Sequence, residues 1–226
     1  MDGRRRYGCV VASELPPVKP RLRGVSHQWA FFVSLALAPV LLVIAPDGRA
    51  RLAAGIYAAS VSGLLGTSAL YHRHDWTQRA RMWMRRLDHS MIFVLIAGTY
   101  TPFALLVLHG GLARAILIVV WGGAAAGIVV NLLWTSAPKP VTAAIYLALA
   151  WVAVAAMGDM WGEIGPVGVG LLVAGGILYT AGAIIYALGR PNPIPDVFGY
   201  HEVFHALVVA AAAAHFAAVA AYALPR

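Results

Sequence analysis

Two histidines four residues apart open the last apolar stretch of the chain, His201-Glu202-Val203-Phe204-His205. In an α-helix such positions differ by about 40° in rotation and one turn in height, so both imidazoles leave one face and can chelate one ion. A third histidine, His72, closes an earlier apolar stretch, with Ser68 one turn deeper on the same face, and Asp88 opens the stretch after it. Three neutral imidazoles with one position left open are the ligand set of a catalytic Zn²⁺ ion. Cys9 is the only cysteine, so no thiolate cluster can compete. The five residues 201–205 also match the HExxH pattern of zinc proteases, in which Glu202 would be the general base. Three fixed positions also coincide by chance, and this pattern defines a rival reading.

Each of these residues has a purely structural reading as well. A histidine at a helix end anchors in the headgroup region. Asp88 and Glu202 would each be favoured at the positive N-terminal end of its helix. Serine is common where helices pack closely in lipid. His27, His74, His89 and His109 lie at ends or in loops and read as interfacial residues. His215 is different: it lies deep in the last stretch, roughly on the face of His201 and His205. At about 15 Å beyond His205 by helical rise it is too far away to share an ion, and it reads as a cavity-lining or interhelical hydrogen-bonding group. Ionisable groups in or beside apolar spans are costly, so His72, Asp88, His201, Glu202 and His205 are functional candidates as a set.

The elements that must gather these residues are apolar. Of 226 residues 61% are hydrophobic and 12% charged, with a mean hydropathy of +0.75; ordinary soluble domains are roughly 25% charged. A bilayer core needs about 20 apolar residues per helix, and such runs fall at 27–45, 52–72, 88–108, 112–134, 141–159, 165–188 and 201–224. The fold expected is all-α, an integral seven-transmembrane-helix bundle over residues 27–226 behind a basic tail, residues 1–26. The connections are short and turn-like, among them Pro46-Asp47-Gly48, Ala137-Pro138-Lys139-Pro140 and the segment from Gly158 to Gly165. Arg4, Arg5 and Arg6 resemble the start of an export signal. The first apolar run begins only near Trp29 and lacks a cleavage pattern, so a retained first helix is expected. The formal charge of +8 does not indicate nucleic acid, because the basic residues flank apolar runs and form no basic face interleaved with aromatics.

Orientation follows from where the Lys and Arg residues fall. With the N-terminus inside, the inner segments hold Arg4, Arg5, Arg6, Lys19, Arg21, Arg23, Arg73, Arg79, Arg81, Arg85, Arg86, Lys139 and Arg190. The outer segments hold only Arg49, Arg51, Arg114 and Arg226. This places the N-terminus in the cytoplasm, the C-terminus outside, and the candidate cluster at the cytoplasmic face. Packing between helices falls to small residues that allow close approach: Ser62 and Gly66, Gly123 and Gly127, then Gly175, Gly176 and Gly182. Pro102 interrupts the third run, where a kink is expected.

Three blocks carry a family resemblance: Ser68-Ala-Leu-Tyr-His72; Leu87-Asp88-His89-Ser90 running into Ala97-Gly-Thr-Tyr-Thr-Pro-Phe103; and Pro195-Asp-Val-Phe-Gly-Tyr-His-Glu-Val-Phe-His205. In this order, and with seven spans, the sequence resembles the hemolysin III family, relatives of the progestin and adipoQ receptors. The resemblance implies Zn²⁺ near the inner membrane face, with His72, His201 and His205 as ligands. It also implies that Asp88 holds a metal-bound water, with Ser68 beside it. The family belongs to a proposed superfamily that includes alkaline ceramidases, so the implied reaction is metal-dependent hydrolysis of a membrane lipid amide. The implied partners are membrane lipids, with the substrate entering laterally between helices. Other members are described as receptors or cytolysins. The alternatives are therefore a zinc-stabilised receptor or sensor without catalysis, a cytolytic pore, and an intramembrane protease using Glu202. The spans carry few polar stripes, which disfavours a pore, and the short tail disfavours an elaborate receptor domain. The Ala, Gly and Arg bias fits a GC-rich bacterial genome, hence a multi-pass protein of the inner membrane.

Overall fold

The computed structural model describes residues 19–134 and 136–226. Arg4, Arg5, Arg6 and Cys9 lie outside them, as does most of the tail expected over residues 1–26. Among the described residues the regular elements are helical, apart from one isolated bridge between Ile194 and Phe198. In chain order they are α1 (Val25–Ile44), α2 (Gly48–Arg73), α3 (Gln78–Leu106), α4 (Gly110–Leu133), α5 (Lys139–Ala150), a 3-10 segment (Trp151–Ala156), α6 (Met157–Leu188) and α7 (Tyr200–Ala218). The last continues into a π-helical turn at Val219–Ala223.

Local chemistry sets the helix starts. Asp47 caps α2 by accepting from the Ala50 amide at 2.8 Å, and Thr77 caps α3 through the Ala80 amide at 3.4 Å; each satisfies an amide the helix itself leaves unpaired. α1 begins behind Gly24, whose φ of +80° is the left-handed conformation that side chains oppose. A Cβ there would also sit 2.7 Å from the Cβ of His72. Gly24 therefore lets the start of α1 lie directly against the end of α2.

Six described helical runs are long and apolar enough to cross a membrane. Their outward faces carry large apolar side chains such as Val43, 81% exposed, and Leu133, 82% exposed. A water-soluble surface would not tolerate contiguous patches of this kind. One run, Lys139–Leu188, has 50 residues and would be about 75 Å long if straight, against a hydrocarbon core of about 30 Å. It is not straight: Gly165 has φ +66° and ψ −179°, and the indole N–H of Trp151 donates to Thr180 Oγ1 at 3.1 Å across 29 positions. The run doubles back at Gly165.

The turn expected over Gly158 to Gly165 is thus reduced to one glycine. Met160 and Ile164 are buried in the core and hold the preceding residues in helix, while the proline at 166 disfavours the helical conformation in the residue before it. A second irregularity lies where α5 passes into the 3-10 segment. There the Tyr100 hydroxyl donates to the Ala150 carbonyl and accepts from the Ala153 amide, both at 2.6 Å, satisfying groups that the change of helix type releases.

Small residues set the close approaches. A Cβ on Gly66 would lie 2.8 Å from the Phe31 ring, and one on Gly123 would lie 2.6 Å from Leu149; Gly127 faces the Phe93 ring and Gly182 faces Phe204. The Ser62 hydroxyl is 2.9 Å from that of Ser34, joining α1 to α2. α3 begins at Gln78, ten residues before the apolar run at Asp88. The extra turns are amphipathic: Arg79, Arg81 and Arg85 are exposed, and the Arg86 guanidinium stacks 4.5 Å from the Trp83 ring.

Candidate metal centre

α2 ends and α7 begins at the same end of the bundle, and there the three histidines meet. His72 is the next-to-last residue of α2; His201 and His205 occupy the first turns of α7. The Nε2 atoms of His72 and His201 are 3.1 Å apart. One ligand nitrogen from each of the three imidazoles falls within a group no wider than 4.8 Å. His205 is 1% exposed and His72 8%. These residues come from positions up to 133 apart in the chain, and the helical i, i+4 relation of His201 and His205 holds as expected.

The donor set fits a tetrahedral ion. Zinc–nitrogen bonds of about 2.0–2.1 Å put two ligand nitrogens about 3.3 Å apart, close to the His72–His201 separation. A span of 4.8 Å closes to that value with movement of no more than about 1.5 Å, within reach of side-chain rotation. His205 Nδ1 is buried and has no hydrogen-bond partner among the described residues. This imidazole therefore lacks the hydrogen bonding that a purely structural buried histidine would have.

Asp88 stands ten residues inside α3, with its Oδ2 3.9 Å from His72 Nε2 and its side chain 13% exposed. The influence of a helix N-terminus fades within the first turn, so the helix-end explanation for this carboxylate does not apply. Ser68 is buried one turn below His72. Ser68, Asp88, His201 and His205 all line one cavity of about 180 Å³. Its walls are mainly apolar and run along α3 from Asp88 to Phe103 and along α7 from His201 to His215, a length of about 21 Å by helical rise.

Glu202, also in the HExxH pattern, is placed otherwise. Its Oε2 accepts from the Gly199 amide at 2.8 Å, and its Oε1 pairs with Arg23. It is 2% exposed, is engaged as a helix cap and ion-pair partner, and does not line the cavity. Backbone bonds from Arg21 to Asp196 (3.0 Å) and from Leu22 to Val197 (3.1 Å) hold Arg23 in place.

His27 is not interfacial. It is 2% exposed, lines the cavity, and stacks flat on His205 with ring centroids 3.8 Å apart and planes at 10°. Its neighbours in sequence contain no spacing that would single it out; only the packing of α1 across α7 brings it to the cluster. His89 also lines the cavity, whereas His74 rests on the Trp76 ring and His109 is exposed at the start of α4. His215 lies at the cavity's far end, 3.1 Å from the Leu172 carbonyl. Both roles expected for it, cavity lining and interhelical bonding, are present.

Long apolar helices around a three-histidine cluster, two of its members buried, that could hold a metal define a multi-pass helical membrane protein with a candidate metal centre. Over residues 17–216 the sequence matches the family described as Haemolysin-III related. The chain belongs to that family. It is 30% identical over 205 residues to Hemolysin-3 of Bacillus cereus, covering 89% of this chain and 90% of that protein. A Hemolysin-3 homolog of Bacillus subtilis (strain 168) is 37% identical over 136 residues, but that match spans only 60% of this chain and 61% of the relative. The Monocyte to macrophage differentiation factor of Homo sapiens is 23% identical over 201 residues, 87% of this chain and 81% of that protein.

Proposed function

We propose that this protein is a zinc-dependent hydrolase of a membrane lipid amide. It crosses the bacterial inner membrane seven times, with the N-terminus and the histidine cluster on the cytoplasmic side. The doubling back at Gly165 supports seven crossings, since it turns one 50-residue run into two segments of membrane-spanning length. The bias of Lys and Arg supports the orientation. The observation that carries the hydrolase reading is the three-imidazole cluster from α2 and α7, two of whose members, His201 and His205, line one end of a long apolar cavity together with Asp88 and Ser68.

His72, His201 and His205 would hold a zinc ion, which would supply a Lewis acid able to lower the pKa of a water molecule to about 7. The acyl chain of the substrate lies along the apolar walls, with its amide at the histidine end. Ser68 donates a hydrogen bond to the amide oxygen. Asp88 orients the attacking water and takes up its proton, then returns that proton to the nitrogen as the C–N bond breaks, leaving a fatty acid and an amine. The test is Asp88→Asn, which keeps size and one acceptor while losing basicity. The variant is expected to retain its metal and fold and to lose turnover of acyl amide lipids by at least about 10²-fold. Metal lost together with activity would make Asp88 a ligand, and unchanged activity would remove it from the chemistry.

A second reading has its own support. The cluster ties α2 to α7 across 129 positions, as a structural clip in a sensor or receptor would. In that case no acyl amide is turned over and Asp88→Asn is silent. The name of the Bacillus cereus relative suggests lysis, but a water-filled pore is lined by polar groups, and this cavity is walled mainly by apolar side chains. The protease reading needs Glu202 free, and it is held by Gly199 and Arg23.

A further inference from the structure

The chemistry proposed above uses one end of the cavity. At the other end two polar atoms are buried without a partner among the described residues, the Tyr179 hydroxyl and His215 Nδ1. Both side chains line the cavity, with ring centroids 5.5 Å apart. His215 is fixed there from two directions. Its Nε2 lies 3.1 Å from the Leu172 carbonyl oxygen, which can only accept, so Nε2 carries the proton and Nδ1 is an acceptor. Gly175 leaves the room its ring fills, since a Cβ at that position would collide with the imidazole.

One free donor and one free acceptor thus stand on neighbouring rings in an apolar enclosure, where unpaired polar groups are costly. A hydroxyl is the simplest group that satisfies both, accepting from Tyr179 and donating to His215. The position is about 15 Å from His205 by helical rise, half the thickness of a hydrocarbon core of about 30 Å. A group that reaches it from the histidine cluster must therefore sit partway down an acyl chain.

We infer that the far end of the cavity recognises a hydroxyl carried at mid-chain on an acyl lipid, through Tyr179 and His215. This rests on the reading of the cavity as the seat of an acyl chain, but it requires neither turnover nor zinc. The test is binding of stearate and of stearate hydroxylated at mid-chain to purified wild-type protein and to Tyr179→Phe, with and without chelator. The wild type is expected to bind the hydroxylated chain about 10-fold more tightly, in the direction set by a site whose polar groups are otherwise unpaired. Tyr179→Phe should bind plain stearate as the wild type does and lose the preference. Gly175→Ala, which displaces the His215 ring and leaves the Tyr179 hydroxyl intact, should reduce it as well. Equal affinity of the wild type for both chains would overturn the hydroxyl site and leave the acyl seat standing. Binding of neither chain would overturn both. A preference that survives both substitutions would overturn the assignment to these residues, and failure to hydrolyse any amide would leave the expected preference unchanged.

Discussion

Zinc bound by His72, His201 and His205 should stabilise the fold measurably, because the ligands belong to α2 and α7 and the unfolded chain offers no such arrangement. At a free zinc concentration 100 times the dissociation constant the stabilisation is about 2.7 kcal/mol. His201→Ala removes one of three imidazoles. A loss of at least about 100-fold in affinity, the upper range seen even for outer-shell changes, brings that stabilisation down by about 2 kcal/mol. For a chain of this length that corresponds to a fall of roughly 4–8 °C in Tm. The assay is metal content by mass spectrometry on protein purified without chelators, together with thermal unfolding in detergent. Chelator treatment of the wild type is the cleaner arm, because it removes the ion and changes no packing. It should lower Tm by a similar amount, and added zinc should restore it. The competing explanation of the 3.1 Å approach between His72 and His201 is a hydrogen bond between two neutral imidazoles. Metal-free wild-type protein whose Tm ignores both chelator and zinc would establish that explanation and refute the metal centre.

A reporter fused after Arg226 should be active only outside the cytoplasm, and one inserted between α2 and α3 only inside; the reverse pattern would put the cluster on the other face. Glu202→Gln should keep the metal and lower stability by about 2 kcal/mol through loss of the charged partner of Arg23, as read by metal content and thermal unfolding; loss of activity with stability intact would restore Glu202 as a base. Gly98→Ala should destabilise by about 1–3 kcal/mol, since its Cβ would collide with Ser60 across the α2–α3 contact. Adding Ser60→Gly should recover most of that loss in the same thermal assay.

The apolar runs were legible because a bilayer requires about 20 such residues per crossing and leaves little room for other patterns. The close approaches at Gly66, Gly123 and Gly127 were legible for a related reason: without a hydrophobic drive between helices, packing relies on small residues. The beginning of α3 was not. Hydropathy marks where lipid begins, and Arg79, Arg81 and Arg85 continue the helix past that point on an amphipathic face. The turn at Gly165 was masked by Met160 and Ile164, whose burial keeps helix in a segment whose glycines at 158 and 162 and acids at 159 and 163 suggest a loop.

For the site, legibility depended on how local each relation is. His201 and His205 announce themselves because their shared face is a property of one helix turn. His72 and Ser68 do so in part, by the same spacing, but their meeting with α7 is tertiary. His27 gives no local signal at all and becomes visible only once its ring lies flat on His205. The two carboxylates show the limit most clearly. From sequence, Asp88 and Glu202 share one bland explanation, a negative charge at a helix start. Glu202 fulfils it: it is the third residue of α7, behind a glycine with no side chain to cap the helix, and it supplies the missing acceptor to the Gly199 amide. Being one position from His201, it is turned about 100° from His201 and about 60° from His205, to one side of the face they share. Asp88 has no exposed amides to serve, because its helix began ten residues earlier, and its carboxylate faces the cavity beside His72. Distance from the true helix start, which hydropathy misplaces, is what separates a capping acid from a candidate catalytic one.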